Sequence, residues 1–423
     1  MHSMYALERL VSGLPILTAP VEGTAAVTVM VFAKAGSRYE KDSERGISHF
    51  LEHMFFKGGN KFKTTEEVSA AIDGVGGDFN AFTGKEYAGY YVKVSADQTE
   101  LACDVLSDML LHASFPPEEI DKERGVIMEE ERMYQDTPMY RAGWDFEELL
   151  FGDHPLGWDT IGTEKVIKSV QQKDFKKHRD ALYGPKSCVL TFAGKVTPEE
   201  SLAYAKRFFD PLAGGQDHTF EPLTKFGPER IFLREKNTEQ AHLVLGVPGI
   251  SSLDSDHFVH KILAIILGGN MSSRMFLRIR EAKGLCYYIS TETDNYLDAG
   301  ALSTRAGVDQ SRLDEAISSI IHEYLLCAKE GVTEEELKRA KDFLKGKITL
   351  SMEDCEERAH FYGKQQLLYP HVRDIPDYFQ EIDAVTKERV DALAKKLLKQ
   401  EELRLVVIGK DGNKTRFEKL LRA

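Results

Sequence analysis

Hydrophobic residues along the first half of the chain follow two alternating periods. Short runs dense in apolar and β-branched residues predict strands, and apolar residues spaced three and four apart predict helices. The predicted strands are AAVTVMVFAKAG, YAGYYVKVSAD and KSCVLTFAGKVT, and the predicted helices are GISHFLEHMFF, TELACDVLSDMLLHASF and PPEEIDKERGVIMEEERMYQ. This alternation predicts an α+β fold.

The second half repeats the same order of elements. Its predicted strands are AHLVLGVPGI, GALSTRAGVD and LRLVVIGK, and its predicted helices are DHFVHKILAIILGG, RLDEAISSIIHEYLLCAKEG and VTEEELKRAKDFLKGKI. Phe192-Ala193-Gly194-Lys195 also matches Val407-Ile408-Gly409-Lys410 in character. We therefore expect two homologous α/β domains, each a mostly antiparallel sheet packed with helices.

A segment without periodicity separates the two halves. Residues 210–230 contain three prolines and three glycines, which is the composition of a linker. We expect a first domain over residues 1–212, a linker over 213–228 and a second domain over 229–423. A chain of 423 residues is long enough for two such cores.

Composition and charge narrow the class of protein. The 42% hydrophobic and 29% charged residues are typical of a folded globular chain, and the net charge of −13 argues against nucleic-acid binding. Five scattered cysteines contain no C-x-x-C pair, which favours a reducing compartment, the cytoplasm. No early apolar run is long enough for a signal peptide or a membrane span, so we expect neither.

One predicted helix carries three ionisable residues inside an apolar run. His49 and His53 are four residues apart and therefore project from the same helix face, with Glu52 beside them. The order H-x-x-E-H is the signature of inverzincin metallopeptidases, although so short a motif also arises by chance. The second copy places Val259 and Leu263 at the matching positions, so the fold itself does not require histidines there.

A catalytic zinc site needs a third protein ligand. The helix after Pro117 offers Glu123 and Glu130, which are seven residues apart and share one helix face. Spacing alone does not choose among five candidate glutamates of this region, which are Glu119, Glu123, Glu129, Glu130 and Glu131.

The combination of H-F-L-E-H and the downstream E-R-G-V-I-M-E-E resembles the pitrilysin, insulysin and mitochondrial-processing-peptidase family of zinc metallopeptidases, in particular its short two-domain bacterial members. The resemblance implies that His49, His53 and Glu130 bind one zinc ion per chain. It also implies that Glu52 is the general base acting on the attacking water, and that Glu123 supports the ligands as a second-shell carboxylate.

Two further segments resemble substrate-binding parts of this family. GGDFNAFTGKEY resembles its edge strand, which implies that Asn80, Ala81 and Thr83 face an extended peptide. SSRMFLRIREAKGLCYYIS resembles its arginine and tyrosine segment, which implies that Arg280 and Tyr287 hold the substrate carbonyl. Arg278 is an alternative for the arginine role.

The expected function is zinc-dependent endopeptidase activity on peptides or unfolded segments, with extended or basic peptides favoured by the acidic balance. The resemblance also implies that each chain forms half of a clamshell, and that a homodimer encloses the substrate in a chamber. The alternatives are a noncatalytic scaffold and a regulatory subunit of the same fold. We expect neither nucleic acid nor a membrane as a partner.

Overall fold

Two mostly antiparallel β-sheets organise the chain in the computed structural model, which describes residues 4–216 and 218–422. The first sheet contains β1 (Ala6–Arg9), β2 (Pro15–Pro20), β3 (Ala26–Ala33), β4 (Asp78–Thr83), β5 (Ala88–Ser95) and β6 (Cys188–Gly194). The second contains β7 (Ile231–Glu235), β8 (Gln240–Pro248), β9 (Cys286–Asn295), β10 (Gly300–Asp309) and β11 (Arg404–Gly409).

The two sheets have the same topology. The first runs β1-β2-β6-β3-β5-β4 and the second runs β7-β11-β8-β10-β9. In each sheet one pair is parallel, β2 with β6 and β7 with β11, and the other pairs are antiparallel. Strand β1 is the one addition to the first sheet. The predicted duplication and the α+β class are therefore confirmed.

Fifteen α-helices cover these sheets in the described part of the chain. Those of the first half are α1 (Ile47–Phe55), α2 (Thr65–Asp73), α3 (Thr99–His112), α4 (Pro117–Asp136), α5 (Pro138–Phe151), α6 (Glu164–Ser169), α7 (Gln172–Leu182) and α8 (Pro198–Phe208). Those of the second half are α9 (His257–Gly268), α10 (Leu313–Glu330), α11 (Glu334–Ser351), α12 (Cys355–Leu368), α13 (Ile375–Asp383), α14 (Lys387–Leu397) and α15 (Lys414–Arg422).

The chain forms two compact units that do not follow chain order. Among the described residues, the first comprises 4–131, 159–216, 218–221 and 348–375, and the second comprises 132–158, 222–347 and 376–422. Helix α12 thus belongs to the first unit although it comes from the second half of the sequence, and α5 belongs to the second unit. The boundaries expected from the linker remain a prediction about the duplicated sequence units.

Helix α12 completes the core on one side of the first sheet. Its residues Ala359, Tyr362 and Leu367 are buried against Leu17 and Phe32 of the strands. Gly363 is needed there, because a Cβ atom at that position would lie 2.2 Å from the Phe32 ring. The missing side chain lets the helix backbone approach the sheet closely.

Helix α5 has the corresponding role on the second sheet. Phe146 and Leu150 pack against Val244 and Val406 of the strands. On the same helix, the fully buried Asp145 accepts two hydrogen bonds from Arg234 of β7, at 2.7 and 2.8 Å. Because a buried carboxylate is stable only when it is paired, this contact fixes how α5 lies on the sheet.

None of the helices over residues 4–216 and 218–422 has the length and hydrophobicity that a membrane crossing requires.

Candidate metal and catalytic site

The site begins with the way α1 starts. Gly46 precedes the helix with a φ of 93°, and a Cβ atom there would lie 2.1 Å from the carbonyl oxygen of Ile161. The buried carboxylate of Glu40 then accepts hydrogen bonds from the backbone N–H groups of Gly46 and Ser48, at 2.7 and 2.8 Å. These contacts satisfy donors that a helix N-terminus leaves without intrahelical partners, so they fix the direction of α1.

The apolar side of α1 anchors the helix in the first unit. Phe50, Leu51, Met54 and Phe55 are all at most 1% exposed. The ring of Phe50 lies 4.9 Å from that of Phe175 in an edge-on contact. Since this side is held in the core, the polar residues of the helix project together from the other side.

Helix α4 brings the acidic groups to α1. Its buried stripe is Ile120, Glu123 and Ile127, and Glu130 continues the stripe in a partly exposed position. The isoleucines anchor the helix, and the two glutamates on the same face therefore point toward the histidines of α1. Of the other candidates, Glu129 is exposed.

Three side chains converge on one point in the first unit. One nitrogen each of His49 and His53 and one carboxylate oxygen of Glu130 lie within 4.8 Å of one another. Nε2 of His49 is 3.7 Å from Oε1 of Glu130, and Nε2 of His53 is 3.5 Å from Oε2. These separations exceed ordinary hydrogen-bond lengths. Two imidazole nitrogens and a carboxylate are a donor set that can hold a divalent metal ion.

The orientation of His53 is fixed by its other ring nitrogen. Nδ1 of His53 donates to Oε1 of Glu123 at 2.8 Å, and Nζ of Lys57 lies 2.5 Å from Oε2 of the same carboxylate. Burial opposes ionisation of Glu123, but its hydrogen bonds to His53 and Lys57 outweigh burial and lower its pKa. In the neutral form of His53, which is the form that binds metal, the proton is on Nδ1 and the lone pair on Nε2 faces Glu130.

His49 is held in the neutral form. Burial, assisted by the neighbouring His53, lowers the pKa of His49 to about 3. Its Nδ1 atom is buried and has no hydrogen-bond partner among the described residues. The rings of His49 and His53 lie 4.7 Å apart between centroids. A neutral imidazole has a free lone pair, which is the form that binds metal.

Glu52 lies beside this cluster and contacts the edge strand. Oγ1 of Thr83, on β4, donates to Oε2 of Glu52 at 2.5 Å. Burial raises the pKa of Glu52, the hydrogen bond from Thr83 and the charge of His53 lower it, and the charge of Glu130 raises it further, with a net upward shift. A carboxylate with a raised pKa is suited to accepting and returning a proton near neutral pH.

Strand β4 presents a free edge next to the site. Within the described chain it pairs only with β5, and Asn80 on it is exposed. Oδ1 of Asn80 accepts a hydrogen bond from the backbone N–H of Ala81 at 2.9 Å. An edge of this kind can accept an extended peptide as an additional strand.

The second unit contains the other three predicted residues. Arg280, in a π-helical turn over Phe276–Glu281, donates from Nε to the carbonyl oxygen of Tyr287 at 3.0 Å. The side chain of Tyr287 is 76% exposed. Arg278 instead forms a 2.8 Å ion pair with Glu323. Of the two arginines, Arg280 is thus the one that contacts the tyrosine segment.

Two supporting residues were not predicted from the sequence. Lys57 contacts Glu123, and Glu40 holds the start of α1. Lys57 lies four residues after His53, a spacing that draws notice only when the position of Glu123 is known. Glu40 acts across a turn of irregular backbone, where no periodic pattern exists to identify it.

Comparison with known proteins places the chain in a family. The insulinase (peptidase family M16) model matches residues 16–163, and the M16 inactive-domain model matches residues 169–344. A Bacillus subtilis protein named uncharacterized zinc protease YmxG is 35% identical over 92% of this chain and 94% of its own. The chain belongs to the insulinase family, peptidase family M16. The predicted resemblance is therefore confirmed.

Solved structures share this M16 fold. A Pseudomonas fluorescens structure described as a peptidase M16 inactive domain gives a TM-score of 0.89 at 18% identity, covering 96% of this chain and 98% of that one. A Helicobacter pylori structure described as a protease gives 0.88 at 21% identity, covering 96% and 100%. At these identities the likeness concerns the fold alone.

Proposed function

We propose that this M16 chain is a zinc-dependent endopeptidase with one zinc site per chain, formed by His49, His53 and Glu130. The observation that carries the proposal is the convergence of their three donor atoms in the first unit. Ligands ~2.0–2.2 Å from zinc at tetrahedral angles are roughly 3.3–3.6 Å apart. The nitrogen-to-oxygen separations, 3.5 Å from His53 to Oε2 of Glu130 and 3.7 Å from His49 to Oε1, are at or just above this range.

The chain's own residues divide the catalytic work. Zinc, when bound, lowers the pKa of water and polarises a carbonyl. Glu52 takes the proton from the attacking water and delivers it to the leaving amine, and its raised pKa supports both transfers. Glu123 accepts the hydrogen bond from Nδ1 of His53 and thereby orients this ligand.

The substrate in this proposal is an extended peptide or an unfolded segment. The free edge of β4, with Asn80, Ala81 and Thr83, binds its backbone by strand addition. Arg280 and Tyr287 hold the carbonyl oxygen and stabilise its developing charge. The net charge of −13 favours basic peptides.

The proposed assembly is a homodimer in which each chain is half of a clamshell around a closed chamber. Such a chamber admits peptides and excludes compact proteins. We also propose the cytoplasm as its location, because all five cysteines are free and buried.

The second candidate function is a noncatalytic scaffold or regulatory subunit. The observation that favours it is that one matching family model and one similar structure are described as inactive domains. The first unit of this chain, however, brings together three metal donors and Glu52, which a scaffold does not need.

Substitutions in the site distinguish the two candidates. Glu52→Gln should keep zinc and lose at least about 100-fold in peptide cleavage, because it removes the base and no ligand. His49→Ala and Glu130→Gln should lose both zinc and activity. Zinc content by elemental analysis and cleavage of a peptide library are the measurements.

Glu129→Gln is the matched control, since this exposed neighbour of Glu130 should leave both readings unchanged. Full activity of Glu52→Gln would remove the base assignment. Wild-type protein with neither zinc nor cleavage would favour the scaffold.

A further inference from the structure

Lys57 is an unusually enclosed lysine next to the candidate metal site. It lies just after α1, and its backbone N–H donates to the carbonyl oxygen of Met54 at 3.2 Å. Its side chain is only 17% exposed, and Nζ lies 2.5 Å from Oε2 of Glu123. A lysine ammonium is usually solvated by water, so an enclosed one needs a charged partner, which here is the carboxylate of Glu123.

The two oxygens of Glu123 have separate partners. Oε1 accepts from Nδ1 of His53 at 2.8 Å, and Oε2 contacts Lys57. The carboxylate is 8% exposed. If Lys57 were removed, Oε2 would lose its charged partner in a site with little water, and the carboxylate would be free to rotate toward another donor.

We propose that Lys57 is a positioning residue, which holds Glu123 so that Oε1 keeps the imidazole of His53 directed at Glu130 and the metal. The proposal rests on the proposed zinc site. Lys57 contacts Glu123, and Glu123 contacts His53, so each side chain fixes the orientation of the next. Residues that hold a metal ligand in place without binding the metal themselves affect metal affinity through that ligand.

Lys61 provides a matched control for charge alone. It lies four residues after Lys57, its side chain is 62% exposed, and its ion pair is with Asp104 rather than with the site. Replacing either lysine by methionine removes one positive charge from the same segment. A contact effect is therefore separable from a general charge effect, which falls off with distance and salt.

The experiment measures the zinc dissociation constant of the full chain by competition with a chromophoric chelator. Lys57→Met should weaken zinc binding by about 10- to 100-fold, and Lys61→Met should leave it within about twofold. Lys57→Arg, which keeps the charge, should recover most of the loss. The visible spectrum of the cobalt-substituted protein should change in Lys57→Met and not in Lys61→Met, because the ligand geometry changes.

A double-mutant cycle tests the route through Glu123. In a Glu123→Gln background, Lys57→Met should cause no further loss of zinc affinity, whereas additive losses would overturn the proposal. Equal affinity of wild type and Lys57→Met would overturn it while leaving the zinc site intact. Absence of zinc binding in the wild type would overturn both. Lys57→Gln gives a second variant if Lys57→Met does not fold, and an unchanged affinity there would also overturn the proposal.

Discussion

At the scale of single residues, the duplication shows which polar side chains of α1 the fold itself does not require. Val259 and Leu263 of α9 match His49 and His53 of α1, and both are fully buried. Apolar side chains can therefore fill the same positions of the matching helix. The same alignment places His260 opposite Phe50, so one histidine of the second unit lies where the first unit has an apolar ring.

His260 should make the second unit sensitive to acid. It is fully buried, and its Nδ1 lies 3.1 Å from the amide nitrogen of Asn295. Burial, with a smaller effect of Lys261, lowers the pKa of His260 from 6.5 to about 3. Because the pKa of His260 is lower in the folded state than in the unfolded state, proton binding favours unfolding. The free energy of unfolding is therefore highest above the unfolded-state pKa and decreases as the pH falls from 6.5 toward 3.

Between pH 7 and pH 4 this group should cost the wild type about 3 kcal/mol of unfolding free energy, a loss that His260→Phe should not show. Denaturant unfolding at several pH values in this range gives the slope of the unfolding free energy against pH for the wild type and for His260→Phe. His112→Phe is the control, since His112 is exposed on α3. Parallel slopes for wild type and His260→Phe would contradict the prediction.

At the scale of elements, close helix-to-sheet packing depends on particular glycines. Gly363 of α12 faces Phe32, and an added Cβ would also lie 2.6 Å from Oγ1 of Thr191. Gly346 of α11 has nothing within 4 Å of the same added atom. Packing against the first sheet therefore requires glycine at position 363, whereas no contact requires it at position 346.

Gly363→Ala should lower the free energy of unfolding by about 1–3 kcal/mol, because the added carbon overpacks the contact with the first sheet. Gly346→Ala should raise it by about 0.5–1 kcal/mol, because alanine favours the helix and meets no neighbour. Chemical denaturation of the two variants gives the signs. A stabilised Gly363→Ala would show that α12 does not pack this closely.

The elements also show how far the sequence predicts this fold. The predicted strand Gly300–Asp309 agrees with β10 at both ends, because its apolar pattern is dense and bounded by glycine and aspartate. Strand β2, which begins and ends with proline, and the half-polar β9 give weaker patterns. Helix spacing places His49 beside His53, as the structure does, but spacing alone leaves five candidate glutamates, and only the resemblance or the tertiary contact points to Glu130.

At the scale of the whole molecule, the sequence does not indicate where α5 and α12 pack. Each follows a long helix, α4 or α11, and each belongs to the compact unit built around the sheet of the other half. The amphipathic pattern of a helix indicates that one face is buried, but it does not indicate which sheet that face packs against. Only the contacts with the strands reveal this exchange of equivalent helices.

The residues of the proposed function are also divided, since His49, Glu52 and Glu130 belong to the first unit and Arg280 to the second. If a homodimer completes each site with the partner's arginine, then Glu52→Gln and Arg280→Ala chains are each inactive alone and complementary when mixed. A mixed dimer has one site with both groups intact and one with neither. At equal mixing half of the dimers are mixed, so about a quarter of wild-type peptide cleavage should return.

Subunit exchange is verified with differently tagged chains, and mixing Glu52→Gln with wild-type chains as a control should show no such complementation. Full exchange without recovered cleavage would mean that Glu52 and Arg280 act within one chain.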